Sequence, residues 1–207
     1  MRAAPEAAFS RLEREDAERL ASFAEIERIF SVNEESVLFR QAPAAAVLLP
    51  LVSRDETAVI CCIRRALQLR SNPGDVAFPG GRLEPGETAL DAALRETAEE
   101  IALPPERLRL LGALPPVTRA SRTGVIAPFV AAVEGEPELV AFPPEVDECL
   151  YVPVREVLDP ALYWEEEWLL GDGRNLVMHF FDRGEDVIWG ASARILVALL
   201  ERLAAHQ

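Results

Sequence analysis

The chain contains no lysine. All 21 of its basic residues are arginine, set against 35 aspartates and glutamates, for a formal net charge of −14. Nucleic-acid binding needs a positive surface that displaces counterions from phosphates, so no nucleic-acid partner is expected. Cysteine is scarce: Cys61 and Cys62 are adjacent in an apolar run and Cys149 stands alone. An odd count without metal-ligand spacing makes neither a disulfide framework nor a zinc site, and reduced core thiols are the expectation. Histidine is scarcer still, with only His179 and His206, so acid–base chemistry falls mainly to carboxylates. No apolar run is long enough to span a bilayer, and no membrane partner is expected. Residues Met1 to Arg28 mix Ala with Arg, Glu and Asp and lack the apolar centre of a secretory signal. The last residues, Ala204-Ala205-His206-Gln207, carry no lipidation or peroxisomal address. A soluble cytoplasmic protein is the expectation.

What is present is enough for one ordinary globular domain: 207 residues, half of them apolar. Phe9, Leu12, Leu20, Phe23, Ile26 and Phe30 recur at helical spacing among charges, which predicts one or two helices over residues 5 to 30. From Ala44 the pattern shortens. Apolar runs from Ala45 to Leu49 and from Ala58 to Ile63, with Ser53-Arg54-Asp55-Glu56 between them, read as two strands and a turn. A loop rich in Gly and Pro runs from Ser71 to Gly86, and a helix from Thr88 to Leu103 stops at Pro104-Pro105. Strands are expected over Leu108–Leu114, Gly124–Val133, Glu145–Val152 and Leu176–Phe181, and a last helix over Ala191–Ala205. Interleaved strands and helices make an α/β layered domain.

The helix after the glycine loop carries Arg95-Glu96-Thr97-Ala98-Glu99-Glu100. At about 100° per residue, Leu90, Leu94, Thr97 and Ile101 share one arc, the expected core face. Glu96, Glu99 and Glu100 share the opposite side, with Glu96 and Glu100 one turn apart. An acidic face turned to solvent is the ordinary reading of such a stripe. The other reading is a hard-cation site, because Mg²⁺ takes oxygen ligands, keeps several waters and binds through a few carboxylates plus substrate phosphates. Thr88 fits the helix N-cap, with Asp91 three residues later completing a capping-box variant.

The surrounding pattern favours the cation site. Gly81 is followed six residues on by Glu87, eight further by Arg95-Glu96, then by Glu99-Glu100 and Leu103. This resembles the Nudix box: Gly, five residues, Glu, seven residues, Arg-Glu, apolar, any, Glu-Glu, any, Gly, apolar. Every charged position matches; Thr97 stands at an apolar position and Ala102 replaces the final Gly. The resemblance implies a Nudix-type α/β/α sandwich with a mixed central sheet over residues 35–207, preceded by a helical extension over 1–34. It further implies that Glu96, Glu99 and Glu100 hold Mg²⁺ or Mn²⁺, joined by a backbone carbonyl of Gly80 or Gly81, and that Arg95 and Glu87 pair to orient the loop. The chemistry implied is hydrolysis of a diphosphate in a nucleotide derivative, with a carboxylate as general base. Glu145 and Glu148 are candidates for the base, as are Glu165 to Glu167.

Substrate information lies upstream of the box. Arg65, Leu69, Arg70, Gly74, Val76 and Phe78-Pro79-Gly80-Gly81 resemble the motif that precedes the box in coenzyme A pyrophosphatases, with Ala66 where Ser is usual and Asn72 where His is usual. Pro144-Glu145-Val146, Val152-Pro153-Val154 and Ile188-Trp189-Gly190-Ala191-Ser192-Ala193-Arg194 resemble further segments of that branch. Trp189 also has a plain structural reading, as the anchor of a helix start. The resemblance implies a coenzyme A-like substrate bound through Arg65, Arg70, Asn72, Phe78 and Arg82. Arg65 and Arg70 would supply the local positive charge that this acidic chain otherwise lacks, while for Phe78 the core is the simpler place. A homodimer is compatible with the sequence. Two other readings stay open: hydrolysis of ADP-ribose, a dinucleotide polyphosphate or a modified nucleoside triphosphate, and a catalytically silent nucleotide-binding module.

Overall fold

The computed structural model of the protein describes residues 14–31, 42–118 and 124–206. Two short helices come first, α1 (Arg14–Leu20) and α2 (Phe23–Ser31). Phe9 and Leu12, which contribute to the expected helical pattern, lie outside the described residues, as does the expected boundary at residues 34 and 35. Strands β1 (Ala45–Arg54) and β2 (Thr57–Arg65) form an antiparallel hairpin. Its two-residue turn, Asp55-Glu56, has both residues at positive φ (48° and 64°), the backbone of a type I′ turn that matches strand twist.

The chain continues through β3 (Val76–Ala77), β4 (Gly80–Arg82), the long helix α3 (Ala89–Ile101), β5 (Leu108–Ala113), β6 (Val117–Thr118), β7 (Val125–Val133) and β8 (Val146–Pro153). The main sheet runs β3-β2-β1-β7-β5, with β4, β6 and β8 pairing β1, β7 and β2. The β1–β7 pair is parallel and the others are antiparallel, so the sheet is mixed. After a short helix α4 (Val154–Val157), a second antiparallel sheet follows: β9 (Tyr163–Leu169), β10 (Asn175–Arg183) and β11 (Asp186–Trp189), in the order β11-β10-β9. Helix α5 (Gly190–Ala204) closes the described fold.

Strand periodicity sorts the core into layers. Ala46 and Leu48 of β1 and Ala127, Phe129 and Ala131 of β7 face Ala92 and Ala93 of α3. Their neighbours Ala45, Leu49, Leu51, Ile126 and Val130 face the other way, toward Ile26, Ile29 and Phe30 of α2 and Ile195 and Leu199 of α5. Successive strand residues point to opposite faces, so a sheet apolar on both sides needs a helical layer on each, and the α/β/α sandwich results. The N-terminal helices share this core: Leu20, Ile26 and Ile29 are 0% exposed. The Phe23 amide donates to the Glu56 carbonyl at 2.9 Å and the Ala58 amide to the Ala21 carbonyl at 2.8 Å.

Strand β9 is an element that the sequence pattern does not mark. Its run of three glutamates, Glu165 to Glu167, hides the strand period, and the flanking aromatics Tyr163, Trp164 and Trp168 supply the apolar contact. Cys61 and Cys62 are buried free thiols and Cys149 is a half-buried one. Burial holds the Cys61 thiol up at about 12.

Candidate active site

Thr88 caps α3 as its sequence predicts: its hydroxyl oxygen accepts the Asp91 amide at 3.2 Å, and the Asp91 carboxylate accepts the Thr88 amide at 3.3 Å. At the other end Ala102 takes φ 55° and ψ 33°, the left-handed C-cap that glycine adopts at least cost. Between these ends the carboxylates divide in a way the helical wheel does not foresee. Glu100 is 3% exposed and Glu99 is exposed. The buried residues of α3 are Ala92, Ala93, Thr97, Glu100 and Ile101, so Glu100 lies at the border of the core face and not opposite it. The reason is tertiary: β1 and β4 pack against that flank of α3 and remove it from solvent.

Glycines permit the approach. A Cβ on Gly80, whose φ is 151°, would stand 2.3 Å from the Ala46 carbonyl oxygen. A Cβ on Gly81 would stand 2.1 Å from Oε1 of Glu96. The Gly80 amide donates to Oε2 of Glu100 at 2.9 Å. The two glycines therefore serve backbone-to-strand and backbone-to-carboxylate contacts.

Arg95 ties the loop to the helix. Its Nε and Nη2 donate to the two oxygens of Glu87 at 2.9 and 3.2 Å, the fork geometry that suits a guanidinium and a carboxylate. Nη2 also reaches the Arg82 carbonyl at 3.2 Å, and Nη1 lies 3.0 Å from Glu96 and 3.1 Å from Glu99. This pairing depresses the Glu87 carboxyl below its ordinary range, together with the amide of Glu84.

One carboxylate joins from outside the helix. Glu145, in the turn before β8, offers an oxygen that lies with oxygens of Glu96 and Glu100 inside 4.8 Å of one another. Glu99 is not in this group; it reaches Arg95. Glu148 is not in it either: it faces Arg64 across the β2–β8 pair at 3.4 Å. Glu165, on the second sheet, bonds Tyr163 at 2.5 Å and lies 3.1 Å from His179, and Glu166 accepts from Trp164 and Trp168. Burial raises the Glu100 pKa to about 7, with Glu96 and Glu145 adding to the shift and the Gly80 amide and Arg65 opposing it. Burial also raises Glu96, against the pull of Arg95. Three like charges gathered at a partly desolvated place call for a cation to neutralise them.

A cleft of about 560 Å³ opens beside this cluster, and Arg65, Asn72, Phe78, Gly80 and Arg82 all line it. The Arg65 amide donates to the Asp75 carbonyl and the Gly74 amide to the Arg65 carbonyl, both at 3.0 Å, which folds the 65–75 loop back on the end of β2. The Arg65 Nε is buried without a hydrogen-bond partner in the protein. Asn72 adopts φ 52°, and its side-chain amide donates to Asp75 at 2.7 Å. Phe78 is 3% exposed and belongs to the main core, contributing to the cleft wall. Arg70 is exposed and does not line the cleft. Sequence reasoning on the box alone misses the far wall, formed in part by Met178, Trp189 and Ile195, because these residues come from the second sheet and α5.

A mixed-sheet sandwich whose glycine loop and capped helix bring carboxylates together beside an arginine-bearing cleft is suited to hold a divalent cation and phosphate oxygens. The chain matches the NUDIX domain model over residues 41–170, and it belongs to the Nudix hydrolase family. It is 32% identical over 168 residues to the uncharacterized Nudix hydrolase NudL of Escherichia coli K12, covering 80% of this chain and 83% of that one. It is 37% identical over 121 residues to Nudix hydrolase 3 of Caenorhabditis elegans, a match that spans 57% of this chain but half the length of that relative. Among solved structures, a MutT/nudix family protein from Enterococcus faecalis superposes with a TM-score of 0.52 at 17% identity, covering 99% of this chain and 76% of the other; this likeness concerns the fold alone. No helix among the described residues is long and apolar enough to cross a membrane.

Proposed function

We propose that the protein hydrolyses the diphosphate of coenzyme A, or of its acyl or oxidised derivatives, to 4′-phosphopantetheine and adenosine 3′,5′-bisphosphate. The observation that carries this reading is the placement of Arg65 on the cleft, close enough to Glu100 to lower its pKa. It is a cation beside a carboxylate cluster in a chain of net charge −14. The upstream motif to which Arg65 belongs supports coenzyme A over other nucleotide derivatives.

The cluster fits a divalent cation: its carboxylates are partly desolvated, mutually repulsive and within reach of one ion. Glu96 and Glu100, with a carbonyl of the Gly80-Gly81 segment, would hold Mg²⁺ or Mn²⁺, and the exposed Glu99 would serve a further ion. Such an ion would neutralise the diphosphate and polarise one phosphorus. Arg65 and Arg82 hold phosphate oxygens by charge-assisted hydrogen bonds, and Asn72 offers an amide at the same wall. Glu145 is the base of choice. Its oxygen lies within 4.8 Å of Glu96 and Glu100 and it has no arginine partner of its own among the ion pairs of the described residues, whereas Glu148 is engaged by Arg64. It takes the proton as the water oxygen attacks phosphorus; the bond from that phosphorus to the bridging oxygen breaks, and the departing phosphate keeps the bridging oxygen.

The test is a substrate panel of coenzyme A, ADP-ribose, diadenosine polyphosphates and NADH with Mg²⁺ or Mn²⁺. The expected result is release of 4′-phosphopantetheine from coenzyme A with the highest kcat/KM. A preference for another substrate by about tenfold, or about 1.4 kcal/mol, overturns coenzyme A and leaves the hydrolase class standing.

A further inference from the structure

The second sheet carries a feature that the carboxylate chemistry does not use. All three tryptophans of the chain, Trp164, Trp168 and Trp189, lie on one of its faces. Phe180 of β10 pairs with Trp164 on one side and Trp189 on the other, so the strand period sets the rings side by side. Trp164 stacks on Phe180 with centroids 4.9 Å apart and planes 8° apart. Trp168 lies 6.2 Å from Phe180 and 6.2 Å from Trp189, tilted to both. The indole N–H groups are tethered: Trp164 and Trp168 donate to Glu166 at 3.3 and 2.7 Å, and Trp189 donates to Asp75 at 3.3 Å. The rings are thus ordered before a ligand arrives, which lowers the entropy lost on binding.

This face is continuous with the cleft, because Trp189 lines the same cavity as Arg65 and Gly80. The charges differ between the two regions. Arg65 and Arg82 serve the region around Gly80, whereas the aromatic face carries Glu166 and Asp182; Arg183, the one arginine of the three strands, is on the opposite face, where it bonds Glu156. Phosphates are drawn to the first and repelled by the second. A flat, uncharged ring suits the second, since aromatic faces stack on any nucleobase.

We propose that Trp189, flanked by Trp168, is the stacking wall for the nucleobase of the substrate. This rests on the reading of the substrate as a nucleotide derivative, not on coenzyme A in particular. Asp75 is then a positioning residue, holding the indole that a base meets.

Because the chain has no other tryptophan, its selectively excited tryptophan emission reports this face alone. The full chain in EDTA is titrated with AMP, and with ribose 5-phosphate and 4′-phosphopantetheine as ligands without a base. AMP is expected to quench saturably and the other two to leave the emission unchanged. Trp189→Leu is expected to weaken AMP about tenfold and to raise KM for the hydrolysed substrate by a similar factor with little change in kcat. Trp189→Phe, which keeps a ring, stays within about threefold of the parent. Should the leucine variant fail to fold, Trp168→Leu at the exposed flank is expected to weaken AMP about threefold. No quench by AMP in a protein that hydrolyses nucleotides overturns the proposal. Equal quenching by 4′-phosphopantetheine overturns it too. So does emission that changes with protein concentration in step with dimer formation by sedimentation, which would make the face a contact between copies. Quenching by AMP in the parent, with AMP affinity lost in Trp189→Leu by equilibrium dialysis because the substitution also removes a reporting indole, sustains the stacking wall in a protein that hydrolyses nothing and overturns only the hydrolytic reading.

Discussion

The Glu100 carboxylate accepts the Gly80 amide hydrogen at 2.9 Å. This bond joins the buried flank of α3 to β4, the short strand paired with β1, and it holds a charge-bearing group where solvent hardly reaches. A single amide offsets little of the desolvation, and the carboxyl stays raised to about 7.

Metal-free stability should therefore fall with pH. An acid whose pKa is higher folded than unfolded binds its proton more tightly in the folded state. Its neutral form is tolerated below pH 4.5, and stability is lost as pH rises from there through about 7. The loss amounts to at most about 3 kcal/mol by the end of that window. Urea midpoints in EDTA should drop between pH 5 and pH 8, Glu100→Gln should flatten the slope, and Mn²⁺ should restore the midpoint of the parent at high pH. A parent midpoint that climbs over this range contradicts the burial of a protonated Glu100.

The same substitution should abolish turnover while the folded spectrum persists. Glu145→Gln should cost about 10² or more in kcat, and Glu148→Gln, which removes only a partner of Arg64, should leave kcat within about threefold. Steady-state kinetics at saturating metal separates the two; equal losses would displace the base from Glu145.

Adjacent glycines should respond differently. Gly80→Ala drives a methyl into the β1 backbone, which cannot yield, and should destabilise by about 3 kcal/mol or prevent folding. Gly81→Ala meets the end of the Glu96 side chain, which can turn away. A folded Gly81→Ala protein with a lost metal-dependent activity is the expected outcome, checked by circular dichroism alongside the assay.

Ala102 occupies the left-handed region at the C-cap of α3. Ala102→Gly should stabilise by about 0.5–1 kcal/mol, the relief at φ of 55° exceeding the added freedom of the unfolded chain. Denaturant midpoints measure it, and destabilisation would mean that the Ala102 methyl contributes packing.

Much of the local structure was legible in the sequence because it depends on neighbours in the chain. The Thr88–Asp91 box and the strands on either side of Asp55-Glu56 follow from spacing, and the Arg95–Glu87 pair from the resemblance to the Nudix box. The role of Glu100 was legible only as a charge on a wheel: the period of a helix assigns directions but does not say which flank another strand will cover. Arg65 and Arg70 look equivalent in the upstream motif, yet one lines the cleft and the other faces solvent, because β2 ends at Arg65 and the loop turns back at Gly74.

The sequence by itself determined the family pattern, the capped acidic helix, the glycines before it and the chemistry that carboxylates and arginines support. Tertiary structure alone decided which carboxylates meet and what faces them. Glu145 reaches Glu96 and Glu100 because β8 pairs with β2 and the register slips between Arg64, opposite Glu148, and Arg65, opposite Val146. A one-residue slip re-aims the side chains that follow it. Trp164, Trp168 and Trp189 come together for a like reason: the β9–β10 and β10–β11 registers set residues distant along the chain on one face. Spacing fixes what is adjacent within an element; pairing between elements fixes what a substrate meets.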